Sequence, residues 1–214
     1  MSLVRTKETR VCIAMTAAVI AVLAISPATA HHVMDGELPS TFTQGLLSGL
    51  GHPVIGLDHL AFIVALGIAA AVVPGPLAVI ATFVALSAAG VLIHIAKLDV
   101  PMVEPLVALT VLLAGAALVW SRSVTRPMWV ALAAVAGLLH GYAFGESIVG
   151  AERTVLGAYI VGIALITALI ATMVMTIARK VVVPDGIPSP SLKIAGAALG
   201  CVGAALLAVT LMPG

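Results

Sequence analysis

The sequence predicts an all-α integral membrane protein, a bundle of six transmembrane helices that follows a cleavable signal peptide. Composition is the first reason, because 62% of the 214 residues are hydrophobic and only 9% are charged. A soluble domain carries about 25% charged residues to cover its surface, so most of this chain must face lipid. The second reason is the series of long apolar segments, with a mean hydropathy of +1.23 for the whole chain, separated by short polar breaks.

The rest of the composition excludes other classes of protein. The formal net charge is only +1, so nothing indicates a nucleic-acid partner. Cys12 and Cys201 lie far apart in hydrophobic segments, where they offer neither a disulfide framework nor a CxxC metal site.

Residues 1–30 have the layout of a secretory signal peptide. A basic start is followed by the apolar stretch 11–25, and residues 26–30 supply a helix break and the small residues of an A-x-A cleavage site. A retained anchor helix is the alternative. In both cases the chain after Ala30 begins on the outer side of the membrane.

Residues 31–214 are predicted to form one six-helix domain. A lead-in helix is expected to break at Pro53, because proline lacks a backbone donor. The predicted spans are about 53–73, 77–96, 102–120, 128–147, 155–178 and 192–211. Each has roughly the 20 residues that cross a bilayer.

The loop charges predict the orientation. The predicted inner loops contain five basic residues, whereas the outer loops contain Lys97 and Arg153. This asymmetry follows the positive-inside rule and agrees with the signal peptide. It places both termini of the mature chain outside a bacterial inner (plasma) membrane.

Ionisable side chains inside a bilayer are costly and usually functional. All seven in the first four predicted spans fall in the outer half: His52, Asp58, His59, His94, Glu104, His140 and Glu146. Imidazole and carboxylate together suit borderline divalent ions such as nickel, cobalt or zinc. A structural alternative is open for each residue, since His94, Glu104 and Glu146 border loops and His52 can cap a helix.

Helix geometry restricts which of these side chains can meet. His52 and His59 are seven residues apart and share a face of an ideal helix, whereas Asp58 points about 100° from His59. Either irregular backbone around Pro53 and Gly56 lets all three converge, or one of Asp58 and His59 binds metal while the other orients a ligand.

Two strings in the sequence resemble motifs of the HupE/UreJ family of nickel and cobalt permeases. His52-Pro53-Val54-Ile55-Gly56-Leu57-Asp58-His59 is similar to the family's HPxxGxDH motif, and residues 140–146 resemble its HGxAHGxE element. The resemblance covers the mature chain and implies that His52, Asp58, His59, His140 and Glu146 line a metal pathway. Phe144 stands where the family often has a second histidine, and the fifth span lacks a histidine around 167–171.

The expected function is therefore a secondary permease for Ni²⁺ or Co²⁺, with Zn²⁺ as a further candidate and no prosthetic group. The expected partners are the metal ion and the lipid bilayer, and self-association into a homo-oligomer is left open. An intramembrane zinc-dependent hydrolase, with Asp58 or Glu146 as base, and a metal-binding accessory protein that does not transport are the alternatives.

The mature N-terminus predicts a second binding feature. Cleavage after Ala30 makes His31 the first residue, so its α-amine and ring nitrogen chelate one ion together, and His32 adds a third nitrogen. A short flexible tether of this kind holds the metal near the buried site at an effective concentration on the order of millimolar. A solvated terminus with no role is the alternative.

Overall fold

The computed structural model describes residues 38–121, 123–183 and 189–212. These residues form seven α-helices, one 3-10 turn and no β-strand: α1 Phe42–Ile55, α2 Leu57–Val72, α3 Pro76–Ile95, α4 Val103–Val119, α5 Arg126–Gly145, the turn Glu146–Ile148, α6 Arg153–Val181 and α7 Pro190–Leu211. The predicted signal peptide lies outside the described residues.

The first predicted span is a bent pair of helices, α1 and α2, which meet at an angle of 78°. The break falls at Gly56 and not at Pro53, which lies inside the last turn of α1. Gly56 has an extended ψ of 107°. Its N–H donates to the His52 carbonyl, and its own carbonyl accepts from Leu60. Proline removes one helical hydrogen bond, but the extended glycine ends the helix and redirects the chain.

Gly56 has a steric role as well. A Cβ at this position would lie 2.5 Å from His59 Cδ2 and 3.2 Å from Asp58 Oδ1. Because glycine carries no side chain, the first side chains of α2 fold back over the break. The bend therefore places Asp58 and His59 beside the end of α1.

Among the described residues, four continuous segments are long and apolar enough to cross a membrane: Pro76–Ile95, Arg126–Ile148, Arg153–Val181 and Pro190–Leu211. The bent pair passes the same test when it is taken as one span, and α4 is an apolar helix of 17 residues. The helices begin and end within a few residues of the predicted spans. Six spans are reached when both the bent pair and α4 cross the membrane.

Glycines allow the helices to approach closely. A methyl group at Gly141 of α5 would collide with the Ser87 carbonyl of α3, and one at Gly49 of α1 would collide with the Tyr159 carbonyl of α6. Gly115 of α4 packs in the same way on the backbone of α7. These close glycine contacts thus determine how tightly three of the main helix pairs pack.

The helix ends are sorted into two groups. One end of the bundle contains the N-terminal ends of α2, α4 and α6 and the C-terminal ends of α1, α3 and α5. Residues from these parts of the chain are in contact there. The rest of the bundle is filled by an apolar core that includes Phe62, Ile63, Leu66, Phe83, Leu118 and Trp129. The ionisable cluster therefore lies toward one end, next to a core built almost wholly from apolar side chains.

Candidate metal site

Three histidines from three helices meet below the surface of the bundle. His52 comes from the last turn of α1, His59 from the first turn of α2 and His140 from α5, and they are 5%, 3% and 0% exposed. His59 Nδ1 lies 2.8 Å from His140 Nδ1. The ring centroids of His52 and His59 are 5.7 Å apart. The structure thus brings together the three most deeply buried histidines that the sequence predicted to bind metal.

Asp58 adds a carboxylate to this cluster. Its Oδ1 accepts a hydrogen bond of 2.8 Å from the backbone N–H of His59 and lies 3.9 Å from His59 Nε2. The carboxylate is only partly buried, with 25% of the side chain exposed. It is therefore the more exposed member of the cluster, and its negative charge would offset the desolvation of a bound cation.

Neutral hydroxyl groups surround the histidines. The Tyr159 hydroxyl of α6 lies 2.9 Å from His52 Nδ1, and Ser147 Oγ lies 3.1 Å from the same nitrogen. Thr110 Oγ1 of α4 lies 2.9 Å from His140 Nε2. None of these three residues was among the site residues predicted from the sequence. In the sequence such residues are recognisable only as polar side chains in apolar segments. Many hydroxyls in such segments only form hydrogen bonds with the backbone of their own helix.

Aromatic rings close the cluster on its apolar side. Phe144, fully buried, packs with its ring centroid 4.2 Å from that of His59 and 5.2 Å from that of His52. Phe62 and Phe83 stack on each other at 5.1 Å, and Phe62 lies 4.9 Å from His140. Phe144 thus fills the place of the expected second histidine, and two aromatic rings of the apolar core pack against His140.

The other predicted site residues lie farther toward the same end. Glu146 is exposed at the start of the 3-10 turn, and its neighbour Ser147 is the residue that contacts His52. Glu104 is exposed in the first turn of α4. His94 is half-buried, with its ring 4.4 Å from that of Tyr142 and its Nδ1 without a hydrogen-bond partner among the described residues. His31 and His32 lie outside the described residues.

One pair of donor atoms in the cluster has the separation that binding to a shared divalent ion requires. An ion about 2.1 Å from each donor keeps two donor atoms roughly 3 to 4 Å apart, and the 3.9 Å between Asp58 Oδ1 and His59 Nε2 falls within that range. Over the ranges that the structure describes, however, no three His, Cys, Asp or Glu side chains are arranged to hold an ion as they stand. An ion bound here would need further ligands or a closer approach of the rings.

Known proteins resemble this chain in sequence. The sequence profile of the HupE / UreJ protein family matches residues 18–206. Protein HupE of Rhizobium leguminosarum bv. viciae is 34% identical over 104 residues, which are 48% of this chain and 54% of that protein. The match thus spans about half the length of this curated relative. No solved structure matches the chain significantly.

The profile match covers most of the sequence, including all of the described helices except the last residues of α7. The apolar helices and this match together indicate a multi-pass membrane protein. The chain belongs to the HupE/UreJ family.

Proposed function

We propose that this protein is a secondary permease that takes up Ni²⁺ or Co²⁺ across the inner membrane through the histidine cluster. The observation that carries the proposal is the meeting of His52, His59 and His140, all at most 5% exposed, inside a bundle of apolar helices. Buried polar side chains in such a setting are costly and are kept for a function. Membership of a family associated with nickel and cobalt uptake supports the same function.

In this proposal His52, Asp58, His59 and His140 form one metal locus that joins the bent first span to α5. Imidazole nitrogens select borderline divalent ions over Mg²⁺ and Ca²⁺, which prefer oxygen ligands. One carboxylate lowers the net charge of the bound ion. Glu146, His94 and Glu104 lie toward the bundle end and form the entrance, and His31 and His32 collect the ion before it arrives.

The driving force would come from the membrane potential, a proton gradient or trapping of the metal inside the cell. The sequence contains no GxxxxGK[ST] phosphate-binding motif. A potential of 100 mV supplies about 2.3 kcal/mol per charge. Phe62 and Phe83 of the apolar core pack against His140, so passage deeper into the bundle requires these rings to move.

The deep burial of the rings favours transport over the hydrolase alternative. A hydrolase needs a cleft through which its substrate reaches the metal-bound water. Here Phe144 packs against two of the three rings, and all three rings are at most 5% exposed.

Uptake of radioactive nickel into proteoliposomes, with cobalt and zinc as competitors, tests the proposal. We expect uptake that saturates with nickel, is inhibited by cobalt and grows with an inside-negative potential. Metal binding without flux would support an accessory role, and hydrolytic activity without flux would support the enzyme; either result would contradict the permease. Vesicles that contain a His59→Ala, His140→Ala double variant are the control for leakage.

A further inference from the structure

The hydroxyl groups around the histidines define which ring nitrogen carries the proton. A neutral imidazole has one N–H donor and one lone pair, and only the nitrogen with the lone pair binds metal. The structure gives the hydrogen-bond partners from which the protonated nitrogen can be derived. This inference rests on the proposed function, because it concerns how the same cluster presents its nitrogens to an ion.

The tautomer of His52 follows from Tyr159. The Tyr159 hydroxyl donates its single proton to the Phe144 carbonyl at 2.7 Å, because a carbonyl oxygen can only accept. Its oxygen, 2.9 Å from His52 Nδ1, must therefore accept a proton from that nitrogen. Ser147 Oγ, at 3.1 Å, is a second acceptor for the same N–H. His52 thus carries its proton on Nδ1 and its lone pair on Nε2.

The Phe144 carbonyl holds Tyr159 for a simple reason. The last four carbonyls of a helix have no intrahelical donor, and Phe144 lies in the last turn of α5. Tyr159 satisfies this buried carbonyl, and its ring is itself fully buried. The Tyr159 hydroxyl therefore uses its proton in the hydrogen bond to the Phe144 carbonyl and does not donate it to His52.

The tautomers of His140 and His59 follow from Thr110 by the same reasoning. Thr110 Oγ1 donates to the Val107 carbonyl at 2.7 Å, so it accepts from His140 Nε2 at 2.9 Å. In the neutral ring, Nδ1 of His140 then bears the lone pair. It accepts the proton of His59 Nδ1 at 2.8 Å. His59 is left with its lone pair on Nε2, the nitrogen that faces Asp58 at 3.9 Å.

We propose that Tyr159 and Thr110 are positioning residues that fix the tautomers of His52 and His59, so that both rings offer Nε2 to the incoming ion. Tyr159 acts on His52 directly, with Ser147 as a second acceptor. Thr110 acts on His59 through His140, which in this arrangement orients His59 through its Nδ1. The ion is then held by Nε2 of His52, Nε2 of His59 and the Asp58 carboxylate.

The tautomers are measured directly by ¹⁵N NMR of the metal-free full-length protein labelled at its histidines. Protonated and bare ring nitrogens have well-separated ¹⁵N shifts, and single His→Gln variants assign the signals. We expect protons on Nδ1 of His52 and His59 and on Nε2 of His140. A wild-type spectrum with the proton of His52 or His59 mainly on Nε2 would overturn the proposal.

Two isosteric variants test the positioning role. Tyr159→Phe removes the acceptor of His52, and Thr110→Val removes the acceptor of His140. Each should move the proton of its histidine partner toward the other ring nitrogen and weaken Ni²⁺ binding by about 10- to 100-fold, as loss of a hydrogen bond to a ligating histidine typically does. Thr110→Ser, which restores the hydroxyl, should recover both the spectrum and the affinity.

The chain offers matched controls for both variants. Tyr142→Phe removes a hydroxyl that accepts from the Val100 backbone N–H, and Thr176→Val removes an exposed hydroxyl bonded to Thr172 of its own helix. Neither should alter the histidine spectra or the affinity for Ni²⁺. Unchanged affinity for Ni²⁺ in Tyr159→Phe and Thr110→Val would refute the positioning role, whether or not the protein transports metal. The expected tautomers in a protein that transports no metal would instead uphold this network and refute the permease.

Discussion

Each buried histidine has a distinct environment, and this makes single substitutions informative. His59 touches Asp58, His140 and Phe144, whereas His140 is enclosed by Phe62, Phe83 and Thr110. The Nδ1 atoms of His59 and His140 lie only 2.8 Å apart. Loss of either ring of this pair should therefore affect the whole cluster.

Substitution of either histidine should remove high-affinity metal binding. His59→Ala deletes a proposed ligand, and His140→Ala deletes the group that holds it. Loss of one ligand or of its orienting group costs at least about 10-fold in affinity. Isothermal titration with Ni²⁺ measures the effect, and His94→Ala, whose ring lies by Tyr142 at the bundle end, should have a much smaller one. Normal binding and transport by both cluster variants would show that the site is assigned wrongly.

Metal uptake should also depend on pH in a defined direction. A histidine side chain ordinarily titrates near pH 6.5, and its protonated form has no lone pair for a metal. Protons compete with the metal for this lone pair, so uptake should fall as the pH drops from about 7 to 5. Initial rates measured with equal pH on both sides of the vesicle separate this competition from a proton gradient. A flat profile would indicate an entry site made of carboxylates alone.

At the scale of helices, the α3–α5 contact positions His140. Gly141, the next residue, lies so close to α3 that a methyl group would collide with the Ser87 carbonyl. The colliding atoms of Ser87 belong to the backbone, so they cannot move aside as the end of a flexible side chain could. The depth of His140 in the bundle therefore depends on a glycine that binds nothing.

Gly141→Ala should push α5 away from α3 and cost about 1 to 3 kcal/mol of stability, as overpacking of a tight contact does. It should also reduce metal affinity, because His140 moves with the helix. Gly157→Ala is the matched control, since a Cβ there meets no atom within 4 Å. That variant should be neutral or slightly stabilising, because alanine is the better helix former. Thermal unfolding in detergent compares the two, and equal stability would contradict the close contact.

At the scale of the whole molecule, charge is divided between the two ends. Arg126 begins α5, Lys193 lies in the first turn of α7, and Arg179 and Lys180 lie in the last turn of α6, at the end opposite to the histidines. If the basic end is cytoplasmic, the cluster faces outward, toward the segment that contains His31 and His32. The orientation of the protein in the membrane and the role of the segment that contains His31 and His32 stay predictions.

The proposed collecting segment has its own test. A His31→Ala, His32→Ala double variant should show a several-fold higher apparent KM for nickel at limiting metal and an unchanged maximal rate, because only delivery to the site is lost. N-terminal sequencing of the mature protein must first find His31 at the start of the chain. An unaltered KM, or an intact Met1, would remove this segment from the pathway and leave the buried cluster unaffected.

The sequence by itself determined the class of the molecule and the residue types of the candidate site. Lipid-facing helices follow from composition and segment length, which are local properties, and helix ends such as Pro76 and Pro190 lie within two residues of the predicted span limits. The depth of the ionisable residues follows from their position along each span. The grouping of His52, Asp58, His59 and His140 could therefore be predicted before any contact was known.

Only the tertiary structure decided the break at Gly56, the contact of Ser147 rather than Glu146 with His52, and the contacts of Tyr159 and Thr110 with the buried histidines. The hydrogen bonds concerned join residues distant in sequence: His59 and His140 are 81 residues apart, and His52 and Tyr159 are 107 apart. Helical periodicity gives the face on which a side chain lies but not which side chain of another helix it meets. That choice depends on close glycine contacts between helices, which set the rotation and depth of each partner.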